Sequence, residues 1–108
     1  MAKILLLGLD LSVADELSRV LRQLGHSVRI APKREGVLDA ADADIIFSGS
    51  GELRNALEVS PKRPVIVTSR LPETKAWLNA LEDGAADYCG APFEPTQVRW
   101  LLNSALAA

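Results

Sequence analysis

With 108 residues, 48% of them hydrophobic, the chain has room for a single domain, 1–108, built around one buried core. Its 12 basic and 14 acidic residues leave a formal charge of -2, which carries no polybasic footprint and argues against direct contact with nucleic acid. One cysteine rules out an internal disulfide and suits a reducing cytoplasm, and the apolar opening Ile4–Leu7 is too short for a signal h-region or a membrane span.

Lys3-Ile4-Leu5-Leu6-Leu7 is an unbroken apolar run stopped by Gly8, which fits a buried first strand better than an amphipathic helix. Gly8-Leu9-Asp10 follows as the first loop. Ser12 with Asp15 resembles a capping box, and Leu17, Val20, Leu21 and Leu24 recur at helical spacing until Gly25, so the first helix is expected there. His26–Ala31 alternates and stops at Pro32, as a partly exposed second strand should. His26, with no second ligand type nearby, reads as a surface or turn residue. A short helix is expected over Glu35–Ala41, with Asp42 and Asp44 as solvated turn residues around the start of a third strand, Ala43–Ser48.

Gly49-Ser50-Gly51 leads into a brief helix, Glu52–Val59, with Leu53, Ala56 and Leu57 as its apolar stripe. Pro64–Ser69 is a β-branched run ending in hydroxyls, the fourth strand. Pro72 and Glu73 mark the first turn of the next helix, whose inward face is expected to be Trp77, Leu78 and Leu81. Gly84–Cys89 starts a fifth run that closes on Ala91-Pro92-Phe93, with Cys89 as a small buried hydrophobe. Pro95 opens the last helix, with Val98, Leu101, Leu102 and Leu106 inward. Continuous apolar strands alternating with helices belong to a parallel sheet covered on both faces. Such sheets place their sites at the carboxyl ends of the strands, here at Ser69 and Ala91 among others.

The order of Ile4–Leu7, Leu24-Gly25-His26-Ser27-Val28, Ala43-Asp44-Ile45-Ile46, Pro64-Val65-Ile66, Gly84-Ala85-Ala86-Asp87-Tyr88 and Pro92-Phe93 resembles the receiver domain of bacterial two-component response regulators over essentially the whole chain. The resemblance implies a flavodoxin-like (βα)5 fold, an α/β architecture with a five-stranded parallel sheet in the order 2-1-3-4-5, helices on both faces and, here, a shortened third helix. Family members typically carry an acidic pair after the first strand, a phosphoacceptor aspartate ending the third, a Thr or Ser ending the fourth and a lysine before the proline after the fifth. On this chain the acidic pair falls on Gly8 and Leu9, the phosphoacceptor on Gly49, the hydroxyl on Ser69 and the lysine on Ala91. Only the hydroxyl is retained. The family's switch aromatic falls on Tyr88, and its cis proline on Pro92.

Aspartyl phosphorylation needs a carboxylate nucleophile, a bridging Mg²⁺ and a cation facing the developing charge, and glycine, leucine and alanine supply none of these. Asp10 lies beside the lost pair but reads as a loop or helix-start residue. Ser48 or Ser50 as a substitute acceptor lacks a base. A pseudo-receiver pocket of Gly8, Leu9, Asp10, Gly49, Ser69 and Ala91 is therefore expected, without metal or cofactor, in a domain held near one conformation because clustered carboxylates no longer repel. No nucleophile–base pair or cofactor fingerprint marks an enzyme. Two function classes stay open. One is a phosphorylation-independent signalling module that binds a signalling protein or output domain. In the family, the fourth helix, fifth strand and fifth helix form the partner or dimer face, which here carries Trp77, Tyr88, Arg99 and Trp100; Trp, Tyr and Arg are favoured interface anchors. The other is a small-ligand or anion sensor in the vacated pocket, to which Ser48-Gly49-Ser50-Gly51 would add backbone N–H groups, although no lysine follows and Glu52 would repel a phosphate.

Overall fold

The computed structural model describes residues 2–31, 43–59, 62–69 and 74–107. The expected helix over 35–41, together with Pro72 and Glu73, lies outside these residues. Five strands, β1 (Lys3–Leu7), β2 (Ser27–Ala31), β3 (Ile45–Ser48), β4 (Val65–Ser69) and β5 (Asp87–Gly90), form one parallel sheet in the order β2-β1-β3-β4-β5. The described helices are α1 (Leu11–Gln23), α2 (Leu53–Val59, entered through a 3₁₀ turn at Ser50–Glu52), α3 (Thr74–Glu82) and α4 (Pro95–Ala107). This is the parallel sheet that the apolar runs predict, in the flavodoxin-like order that the receiver resemblance implies.

Strand side chains alternate between faces, and the core divides accordingly. Ile4, Leu6, Ile45, Phe47, Ile66 and Cys89 pack with Val13, Leu17 and Leu21 of α1 and with Val98, Leu101 and Leu102 of α4. Leu5, Leu7, Ile46, Val65 and Val67 face the other way, against Leu53 and Ala56 of α2 and Ala80 of α3. Burial on both faces is why the central strands read as unbroken apolar runs. β2, at the sheet's edge in the observed order, is the most exposed of them.

Gly25 ends α1 as its position suggests. It adopts φ 92°, its N–H donates to the Arg22 carbonyl at 3.0 Å, and the His26 N–H donates to the Leu21 carbonyl at 3.1 Å. These two bonds satisfy carbonyls the last turn would otherwise leave open.

Several local expectations are corrected. Ser12 lies inside α1 and Asp10 takes the N-cap position, without a side-chain cap bond, while Asp15 instead pairs with Arg19 at 2.6 Å. Leu78 and Leu81 are 52% and 37% exposed, and Ala80 is the buried residue among the described side chains of α3. At 3.6 residues per turn both leucines point well away from the direction of Ala80. Leu106 is 42% exposed because α4 packs along Val98, Leu101, Leu102 and Ala105. His26 is more than a surface residue: its Nδ1 accepts the Ala2 N–H at 3.0 Å, and the Ala2 carbonyl accepts the Ser27 N–H at 3.0 Å. Asp44 is likewise engaged, its carboxylate accepting the Lys3 N–H at 2.8 Å.

Candidate functional site

The carboxyl ends of β1, β3, β4 and β5 meet at one edge, where register fixes each loop. Leu7 pairs with Ala31 and Ser48, Ser48 with Val67, and Ser69 with Gly90. The chain therefore delivers Gly8, Gly49, Ser69 and Ala91 one step or less beyond the strand ends.

Gly8 turns the chain out of β1 with φ 66°, a conformation that favours glycine, and its N–H donates to the Ala31 carbonyl at 3.0 Å. A Cβ on Gly8 would lie 2.4 Å from Cγ of Glu52, so the Glu52 side chain crosses directly over this turn. The Glu52 carboxylate accepts from Asn55 Nδ2 at 2.9 Å. Gly49 sits equally close to the β1 loop: a Cβ there would lie 3.1 Å from the Gly8 carbonyl oxygen and 4.0 Å from a Leu9 methyl. Leu9 and Ala91 are partly buried against the core layer that includes α1 and α4. Asp10 is exposed, and its carbonyl opens α1 by accepting the Ala14 N–H at 2.8 Å.

The structure thus brings Gly8, Leu9, Gly49 and Glu52 together, and Asp10 turns toward solvent at the start of α1. Glu52 was legible in the sequence only as a charge that would oppose an anion. Its approach to Gly8 depends on a turn geometry that single-residue reading does not reveal, although a glycine closing an apolar strand is the signal that such an approach is allowed. The Gly49 N–H donates to the Leu7 carbonyl at 3.4 Å and the Glu52 N–H to the Gly49 carbonyl at 3.0 Å. Ser48 is fully buried and its hydroxyl has no partner, so it is sealed from any phosphodonor. The side chain of Ser50 lies outside the description.

On the β4–β5 side, the Ser69 carbonyl accepts the Ala91 N–H at 3.0 Å, and the Thr68 hydroxyl donates to the Cys89 carbonyl at 2.6 Å. The Ser69 hydroxyl is hydrogen-bonded to the Tyr88 hydroxyl. The Ala91–Pro92 bond is cis. Burial, with the Asp87 charge adding to it, pushes the Cys89 thiol up to about 12, so at neutral pH it stays protonated and poorly nucleophilic. Among the described residues no group of three or more His, Cys, Asp or Glu side chains is placed to hold a metal ion.

Away from the edge, α3 and α4 both contact β5. Trp100 on α4 is 63% exposed, and Arg99 beside it is exposed. Tyr88 is half-buried against the α2–α3 layer. Trp77 belongs to α3, and its side chain lies outside the description. No helix among the described residues is long and apolar enough to cross a membrane.

No known family model matches the chain, and no curated protein matches it either. Solved structures do. A two-component response regulator from Clostridium difficile aligns over 99% of this chain and 97% of its own length, with TM-score 0.78 at 22% identity. A putative response regulator from Chloroflexus aurantiacus aligns over 99% and 98%, with TM-score 0.82 at 24% identity. The fold is that of a response-regulator receiver domain. The same receiver fold aligns with NtrX from Brucella abortus, at TM-score 0.82 and 23% identity, over 98% of this chain and 27% of NtrX. The chain thus spans about a quarter of that protein's length.

Proposed function

We propose that this receiver-like domain takes part in signal transduction by protein contact and does not accept a phosphoryl group. The observation that carries this reading is the close approach of the two loops at the strand tips. Gly8 and Gly49 are packed so that a Cβ at 49 would stand 3.1 Å from the Gly8 carbonyl, with the Leu9 methyl alongside and Glu52 folded over the turn. A carboxylate nucleophile, its metal and a facing cation need oxygen ligands and an ammonium there. Backbone, a Leu9 methyl group and the Glu52 side chain occupy that space instead. Catalysis is no part of the proposal, and neither is a resident metal or cofactor. The sole cysteine, with its inert thiol, fits a cytoplasmic setting.

Protein contact falls most naturally on the α3–β5–α4 side, where Leu78, Leu81 and Trp100 are exposed and Tyr88 is half-buried. Exposed tryptophan and leucine side chains beside an arginine have the composition of an interface core. The occupant would be a second copy of the chain, a signalling protein or an output domain. The small-ligand alternative has less support, since Leu9 and Ala91 are drawn onto the core and Glu52 covers Gly8.

Light scattering over a range of concentrations, on wild type and on Trp100→Ala, tests the assignment. A mass rising toward the dimer for wild type and staying monomeric for the variant supports self-association through this face. If both remain monomeric, a partner retained by immobilised wild type must be lost from Trp100→Ala; equal retention by the two would overturn the assigned face.

A further inference from the structure

The amino edge of the sheet, opposite the strand tips, holds a hydrogen-bonded junction of three elements at His26. The His26 backbone N–H donates to the Leu21 carbonyl at 3.1 Å, closing the last turn of α1, and the next residue, Ser27, donates its N–H to the Ala2 carbonyl at 3.0 Å. The imidazole completes the junction, because its Nδ1 accepts the Ala2 N–H at 3.0 Å. Lys3 and Ser27 are the first paired residues of β1 and β2, so His26 adds a side-chain rung one residue before the ladder begins. An accepting Nδ1 places the single proton of the neutral ring on Nε2. Ala2 is 6% exposed and lies in the same core layer as Leu21.

We propose that His26 is a proton-operated pin, whose neutral imidazole holds the amino end of β1 to β2 and releases it when Nδ1 takes up a proton. A protonated ring has only donors, so the Ala2 N–H would face another N–H and lose its acceptor. The His26 backbone stays tied to α1, and the loosening falls on Ala2 and on the Ser27–Ala2 bond beside it. Because β2 is at the sheet's edge and largely exposed, this end can open without the rest of the sheet. Among the described residues, the charged groups at this end of the adjoining elements are the positive chain terminus and Lys3 from β1, Arg22 from the last turn of α1, Arg29 from β2 and Asp44 just before β3. Lys3, Arg22 and Arg29 are exposed, where water and salt screen them, and the Asp44 carboxylate is engaged with the Lys3 N–H. Partial burial first, and the chain terminus second, lower the pKa of the pinned ring below the ordinary 6.5. The opened ring titrates near that ordinary value, so the pin is closed above 6.5 and gives way as pH falls through it toward the lowered pKa. The device is independent of the strand-tip site and of any phosphoryl chemistry.

Amide hydrogen exchange, read residue by residue, separates this local opening from global unfolding. Between about pH 7.5 and about pH 5, after correction for intrinsic exchange, protection of the Ser27 N–H in the wild-type chain should fall by about fivefold or more. Over the same range the Ile46 N–H, which donates to the Pro64 carbonyl at 3.1 Å, should keep its protection. In His26→Gln, which has no titration, Ser27 protection should change by less than about twofold. A parallel fall at Ile46, no fall at Ser27, or the same fall in His26→Gln would each overturn the pin. Should His26→Gln fail to fold, the wild-type chain supplies a second reading from its one histidine. Long-range ¹H–¹⁵N correlations of the imidazole should show the Nε2–H tautomer at about pH 7.5, and an Nδ1–H tautomer would equally overturn the pin.

Discussion

Gly8 meets two constraints at once, a left-handed backbone at φ 66° and the Glu52 side chain lying where a Cβ would be. Gly8→Ala is expected to cost roughly 1–3 kcal/mol in urea unfolding. Adding Glu52→Ala should return the steric share and leave the conformational share, so a double-mutant cycle should show positive coupling between two residues 44 positions apart in the chain (52 − 8). Additive losses would place Glu52 elsewhere. His26 offers a second residue-scale test. Partial burial is the larger cause, and the positive chain terminus the smaller, that lowers its imidazole pKa below the ordinary 6.5, and Nδ1 must be unprotonated to accept the Ala2 N–H. The unfolded chain therefore takes up a proton more readily than the folded one. The stabilisation is complete above 6.5 and is lost as pH falls through that value toward the lowered folded pKa. Melting temperature should fall between about pH 7.5 and about pH 5, and the fall should be shallower in His26→Gln, which retains an acceptor without the titration.

At the scale of elements, α4 separates core from surface within adjacent residues. Leu101→Ala should cost about 2–5 kcal/mol, because Leu101 is buried between α4 and the sheet. Trp100→Ala should change stability by no more than about 0.5 kcal/mol, since most of that side chain is already in water. Equal losses from the two would mean that Trp100 is core. The same helix shows which parts of the fold were legible. Strands β1, β3 and β4 stood out because both of their faces are buried, and α1 because Leu17 and Leu21 recur at its spacing. Leu78 and Leu81 were misjudged as inward, because their apolar character does not reveal that the helix turns Ala80 to the core, and the side chain of Trp77 lies outside the described residues. The start of α1 was misjudged for a related reason: Asp10 and Ser12 are both good cap types, and only the backbone decides between them.

For the whole molecule, the parallel order β2-β1-β3-β4-β5 decides where a site can be; the parallel sheet followed from the run of strands and helices, and the strand order from the receiver resemblance. The resemblance places the family's acidic pair, phosphoacceptor and lysine at Gly8, Leu9, Gly49 and Ala91, none of which carries the side chain that chemistry requires. What remained hidden was how the emptied edge is filled, by Glu52 crossing Gly8, by Leu9 and Ala91 on the core, and by Ser69 bonded to Tyr88. These are contacts between loops distant in sequence. Returning one carboxylate should therefore not return the chemistry. Gly49→Asp is expected to gain no phosphoryl group from acetyl phosphate and Mg²⁺, since the acidic pair and the lysine are still missing. The most direct measurement is the intact mass of the wild-type chain after incubation with Mg²⁺ and acetyl phosphate. An unchanged mass is expected, and a gain of one phosphoryl group would contradict a receiver fold that signals without phosphorylation.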